Sequence, residues 1–125
     1  MLNAMITGSS MKVFQRKAAE VYPFLEIYIA RREQKIAEIE QIIERYEKKR
    51  MMEERAYRTM SPLRRMFTGK KPDHHLAVEY IHYVKKPMEQ MRQLRMEIEY
   101  ARTLLSQSDP SDMITLTPEM EKEFE

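Results

Sequence analysis

The stretch Lys48–Lys71, KKRMMEERAYRTMSPLRRMFTGKK, ends one long helical pattern and holds the turn before the next. Ser61-Pro62 is a helix start, with Ser as the cap and Pro at the first position, where its missing N–H costs nothing. Leu63, Met66 and Phe67 then fall on one side of a short helix. Thr68-Gly69-Lys70-Lys71-Pro72 is a turn, because Gly and Pro so close together stop a helix. The same stretch carries nine Lys or Arg against two Glu.

On its N-terminal side, Leu25, Ile29, Ile36, Ile39, Ile43, Tyr46, Tyr57 and Met60 recur at steps of three and four. The same register places Arg32, Arg50 and Glu53 on the seam. This is a heptad-like stripe with polar interruptions, the pattern of a packed or coiled-coil helix. Glu44 with Lys48 and Glu54 with Arg58 stand in the favoured i, i+4 order. Before Pro23, residues Met11 to Tyr22 show a short helical pattern with Phe14, Ala18 and Val21 on one face. Pro23 predicts a kink or break there.

On the C-terminal side, Asp73 caps a second long pattern running from His74 to about Ser106. Its stripe is Ala77, Ile81, Val84, Met88 and Met91, shifting to Leu94, Ile98, Ala101 and Leu105. Pro87 lies inside it and predicts a bend between Tyr83 and Pro87. SQSDPS at 106–111 ends the helix, and Thr117-Pro118-Glu119 restarts a short acidic one.

Two long helices with a short connection predict an antiparallel hairpin. The expected fold is therefore all-α: a disordered leader over 1–10, a helical hairpin domain over 11–107 with a short N-terminal helix, and an acidic segment over 108–125. Two helices leave apolar residues uncovered, among them Tyr22, Leu25, Ile27, Ile29, Ile42 and Ile43. A homodimer completing a bundle is the expectation.

Composition narrows the class. The 125 residues are 42% hydrophobic and 34% charged, with two Gly and no Trp, the profile of long helices. Twelve Met suit adaptable helix contacts. Without Cys there is no disulfide framework, thiolate metal site or Cys nucleophile. No apolar run is long enough for a signal peptide or a membrane span, so a cytoplasmic protein is expected.

Folding the arms antiparallel gathers a basic tip from Lys48, Lys49, Arg64, Arg65, Lys70, Lys71, Lys85 and Lys86, with Phe67 beside them. Such a surface attracts acidic partners. The expected function is a non-catalytic interaction or regulatory protein that binds an acidic protein partner through its helical faces and this tip. The alternative is nucleic acid, with Tyr57, Phe67 and Tyr83 as stacking faces, or an anionic membrane met by Met66 and Phe67 beside Arg64 and Arg65. The tail from Asp109 to Glu125 holds two Asp and four Glu against Lys122. It is expected to fold onto the basic residues Lys12, Arg16 and Lys17.

Catalytic patterns are not found. Gly8 and Gly69 stand alone, so no phosphate loop exists, and no cofactor is implied. His75, Glu79 and His82 are spaced i, i+4, i+7, a weak candidate metal set on one helical face, either part of a di-metal site completed by a second copy or three ligands for zinc with an open position.

Overall fold

The computed structural model describes residues 14–69 and 72–124. The leader, residues 11–13 of the expected first helix, and Lys70 and Lys71 lie outside the described residues. The fold is all-α with a minimal two-stranded ribbon. In order come β1 (Phe14–Lys17), α1 (Ala18–Thr59), α2 (Pro62–Thr68), α3 (Asp73–Tyr80), a π turn (Ile81–Lys85), α4 (Lys86–Gln107), β2 (Met113–Leu116) and α5 (Pro118–Phe124). The chain divides into a terminal unit, Met1–Arg32 with Met96–Glu125, and a central unit, Glu33–Arg95.

In the terminal unit, the expected helix over 11–22 gives way to a strand. Phe14–Lys17 pairs antiparallel with β2, Phe14 opposite Leu116 and Lys17 opposite Met113. Ile114 and Leu116 point into the unit while Met113 and Thr115 face out, the period-two alternation of a half-buried strand. The helix begins only at Ala18. Its first free donors are taken by the loop before β2, Ala18 N–H by the Asp112 carbonyl at 2.8 Å and Ala19 N–H by that of Pro110 at 3.1 Å.

Pro23 does not break α1, which continues for 42 residues. A proline inside a helix costs ~3 kcal/mol through one lost hydrogen bond and a ring clash. Val21 and Leu25, on either side of it, are fully buried, and Tyr28 follows a turn later. Burying such side chains is worth about 1.5–3 kcal/mol each, enough to hold the helix through the proline. The Tyr22 hydroxyl adds a 2.7 Å bond to the Ser108 carbonyl.

The acidic tail does fold onto basic residues near the start of the chain. Thr117 caps α5, its hydroxyl accepting from Met120 N–H at 3.2 Å. Arg16 Nε donates to both carboxylate oxygens of the buried Glu121, at 2.9 and 3.0 Å, and Arg16 Nη2 bonds the same group. Arg32 reaches Glu97 at 2.8 Å and Glu123 at 2.6 Å while lying 3.5 Å from the centre of the Tyr28 ring. The Arg16 hydrogen bonds hold the Glu121 carboxyl below the usual carboxylate range, against the opposing effect of burial. Burial pushes the Tyr28 phenol up to about 12, only partly countered by the Arg32 charge.

In the central unit, α1 runs antiparallel to the helix over 73–95. Tyr46 stacks on Tyr83 with ring centres 5.0 Å apart, and nearer the start of that arm Glu40 pairs with Arg95. Ile39, Ile43, Val84 and Met91 form the core, flanked by Ile36, Tyr46 and Leu94. The α1 stripe faces inward as the spacing implies, and Arg50 and Glu53 on its seam pair with each other at 3.4 Å.

The second arm departs from its expected stripe. Ala77, Ile81 and Met88 are exposed, while Leu76, Glu79 and Pro87 are partly buried. The cause is the π turn, where Lys86 N–H bonds the Ile81 carbonyl five residues back. A π turn takes one more residue per turn than an α-helix, so the inward step from Glu79 to Val84 is five rather than four. The π turn falls just before Pro87, the region where the sequence predicts a bend. Asp73 is the first residue of α3, and Pro72 takes the cap position without a side-chain bond.

Candidate functional site

The turn between the arms is built around the end of α1. A helix leaves its last carbonyls without partners. Here Thr59 Oγ1 donates to the Ala56 carbonyl at 3.0 Å and Met60 N–H to that of Tyr57 at 3.2 Å. Arg65, from α2, donates Nε to the Tyr57 carbonyl at 3.1 Å and Nη2 to that of Arg58. Its positive charge also suits the negative end of the helix dipole. Ser61 caps α2 as its sequence implies, accepting from Arg64 N–H at 3.2 Å. Gly69 ends α2 with φ 72° and ψ 160°, a conformation open essentially to glycine alone.

Arg65 therefore fixes the side of α2 that meets α1. At ~100° per residue, Leu63 and Phe67 lie on the opposite side and Met66 on the flank between. Leu63, Met66 and Phe67 are 66%, 81% and 83% exposed, and α2 has no buried residue. An apolar side chain normally gains from burial, so the three together form an unsatisfied surface.

The basic residues divide by partner. Lys48 pairs with Glu44 at 3.1 Å, and Arg50 and Arg58 pair with Glu54 at 3.6 and 3.7 Å. Arg65 is committed to backbone carbonyls. Among the described residues, Lys49, Arg55, Arg64, Lys85 and Lys86 are exposed and make no ion pair. The two lysine pairs are not level. With Tyr46 against Tyr83, Lys85 and Lys86 stand opposite Ile43 and Glu44, some ~7 Å along the helices from Lys48 and Lys49.

A cleft of about 470 Å³ lies under the turn, lined by Tyr57, Met60, Leu76 and Gly69 with Arg50 and Glu54. Its charges largely cancel, through the Arg50 and Arg58 pairs with Glu54. His75, Glu79 and His82 are not assembled. Glu79 accepts the Tyr46 hydroxyl at 3.3 Å, His82 stands edge-on to Tyr83 at 4.7 Å, and the π turn starting at Ile81 changes the face on which His82 falls. Among the described residues, no group of three or more His, Cys, Asp or Glu is placed to hold a metal ion.

Leu63 and Met66 are the surface residues that charge counting passes over. Their signal is the i, i+3, i+4 spacing with Phe67 inside a helix bounded by Pro62 and Gly69, too short to extend either long stripe. Among the described residues, no helix is long and apolar enough to cross a membrane. Comparison with known protein families, characterised proteins and solved structures finds no match.

Proposed function

We propose that this chain is a non-catalytic interaction protein whose working surface is the outward face of α2, set in the basic turn region. The observation that carries this reading is the opposition within α2. Arg65 ties one side to the carbonyls of α1, and Leu63 and Phe67 stand exposed on the other, with Met66 exposed on the flank. A helix held this way presents apolar side chains rather than storing them in a core. Arg64 beside them, exposed and without an ion pair among the described residues, favours an acidic partner.

A photo-crosslinking amino acid at position 67, with a second variant at the exposed Gln41 as control, tests it in cells. Adducts, to protein or to lipid, are expected at 67 well above those at 41. Equal yields at the two positions overturn the reading. The half-exposed Ile27 and Ile42 on α1 support self-association as a homodimer. Light scattering at micromolar concentration checks this, and a monomer mass overturns it.

A further inference from the structure

We propose that the cleft under the turn is a binding site for a small, uncharged, apolar ligand, and that its occupation steadies α2. The inference goes beyond the reading of the α2 face, because Leu63, Met66 and Phe67 do not line the cleft. Room, charge and position each bear on it.

The cleft holds about 470 Å³, within the range of roughly 300–1,000 Å³ that small-molecule sites occupy. Two residues on its border leave this room. Ala56 carries only a methyl group, and a Cβ placed on Gly69 would meet nothing within 4 Å. From the second arm comes Leu76, brought to the cleft by the extra residue of the π turn. Tyr57, Met60 and Leu76 are each only partly buried. Apolar surface that the chain's own packing leaves uncovered thus collects around one space.

Charge decides the class of ligand. Arg50, Glu53, Glu54 and Arg58 also line the cleft. Arg50 pairs with Glu53 at 3.4 Å and with Glu54 at 3.6 Å, and Arg58 pairs with Glu54 at 3.7 Å. Two cations and two anions are linked in one set. An ionised ligand would give up its water without gaining an unengaged counter-charge from these four. An apolar one has no such cost and gains by leaving water.

Position gives the consequence. Met60 lies just before α2, and Thr68 and Gly69 close it, so the cleft touches both ends of that helix. The helix itself has no buried residue and is tied to α1 through Arg65. A ligand in contact with both ends favours the docked position by as much as it prefers it.

The experiment titrates the full chain with N-phenylnaphthylamine, an uncharged dye that brightens in apolar surroundings, and with its sulfonated analogue anilinonaphthalene sulfonate. The uncharged dye is expected to bind saturably, one molecule per chain, and the sulfonated one at least ~10-fold more weakly. Ala56→Phe, which fills the cleft from an exposed position, is expected to weaken the uncharged dye at least ~10-fold, with circular dichroism unchanged. Met66→Ser/Phe67→Ser is expected to leave its binding intact. In the unmodified chain, the dye is expected to slow amide exchange across 60–69 relative to α4.

Absence of saturable binding overturns the proposal, as does binding that Ala56→Phe leaves unchanged, that the serine variant abolishes, or that the sulfonated dye equals. Binding without slower exchange across 60–69 overturns the link to α2. Crosslinking at position 67 reads the α2 face separately, so either reading can fail while the other stands.

Discussion

Phe124 and Phe67 both sit near arginines, in two regions that treat them oppositely. In the terminal unit, the Phe124 ring lies 4.4 Å from the Arg16 guanidinium and meets Phe24 edge-on at 5.2 Å. Arg16 and Arg32 are in turn bound to Glu121, Glu97 and Glu123. In the central unit, Phe67 is among the most exposed apolar residues, and Arg64 has no ionic partner among the described residues. In the terminal unit these rings and charges meet one another. In α2, Arg65 is bound to the carbonyls of α1 while Leu63, Met66 and Phe67 remain exposed. A phenylalanine beside an arginine is thus packed in one region and presented in the other, and the difference lies in whether that arginine is paired with a carboxylate among the described residues.

The largest expected effect breaks this comparison at its packed side. Met120 is fully buried beside the ribbon, so Met120→Ala is expected to destabilise by about 2–5 kcal/mol. Phe67→Ala is expected to stay within about 0.5 kcal/mol. Chemical denaturation of both variants checks the pair, and similar losses would erase the contrast. Next comes the tether. Arg65→Ala removes charged hydrogen bonds worth about 1.5–3 kcal/mol and is expected to raise amide exchange across 62–68 while leaving α4 unaffected. Arg64→Ala is expected to do neither.

Two smaller effects follow from ionisation in the terminal unit. The folded Glu121 carboxyl is held below its unfolded range, so it contributes stability above that range and loses it as pH falls through the folded value. Melting temperatures of the parent chain and Glu121→Gln are therefore expected to converge on acidification. The Tyr28 phenol, held at about 12, keeps its proton in the fold when the unfolded chain has already lost it. Stability from this group falls between about pH 10 and 12. Tyr28→Phe is expected to remove that loss, read as melting temperature against pH.

Much of the helical frame is legible in residue order. The α1 stripe is a repeated apolar signal over many turns, and Ser61-Pro62, Gly69 and Thr117-Pro118 are local chemistry with a short list of outcomes. The ribbon is not legible in the same way. FQRK at 14–17 carries no alternation of its own, and its partner is the Ile114 and Leu116 strand far along the chain. Pro23 misleads because its cost is local while the burial that outweighs it is tertiary. The candidate surface is half legible. Charge density points to the region, but only the structure separates Arg65, turned to backbone carbonyls, from Arg64, turned to solvent.

The π turn at Ile81–Lys85 acts as a phase offset in the second arm. Counting back from Met91 and Val84 in uninterrupted α-helix would bring Ala77 and Ile81 to the α1 side. One additional residue in the turn instead brings Glu79 to the Tyr46 hydroxyl and Leu76 to the cleft under the turn. Deleting a single residue there would restore an even repeat and rotate everything N-terminal to it, α3 included, by about 100°. The arm is thus divided into two segments that keep different time, and the partners of α3 depend on a beat inserted after it.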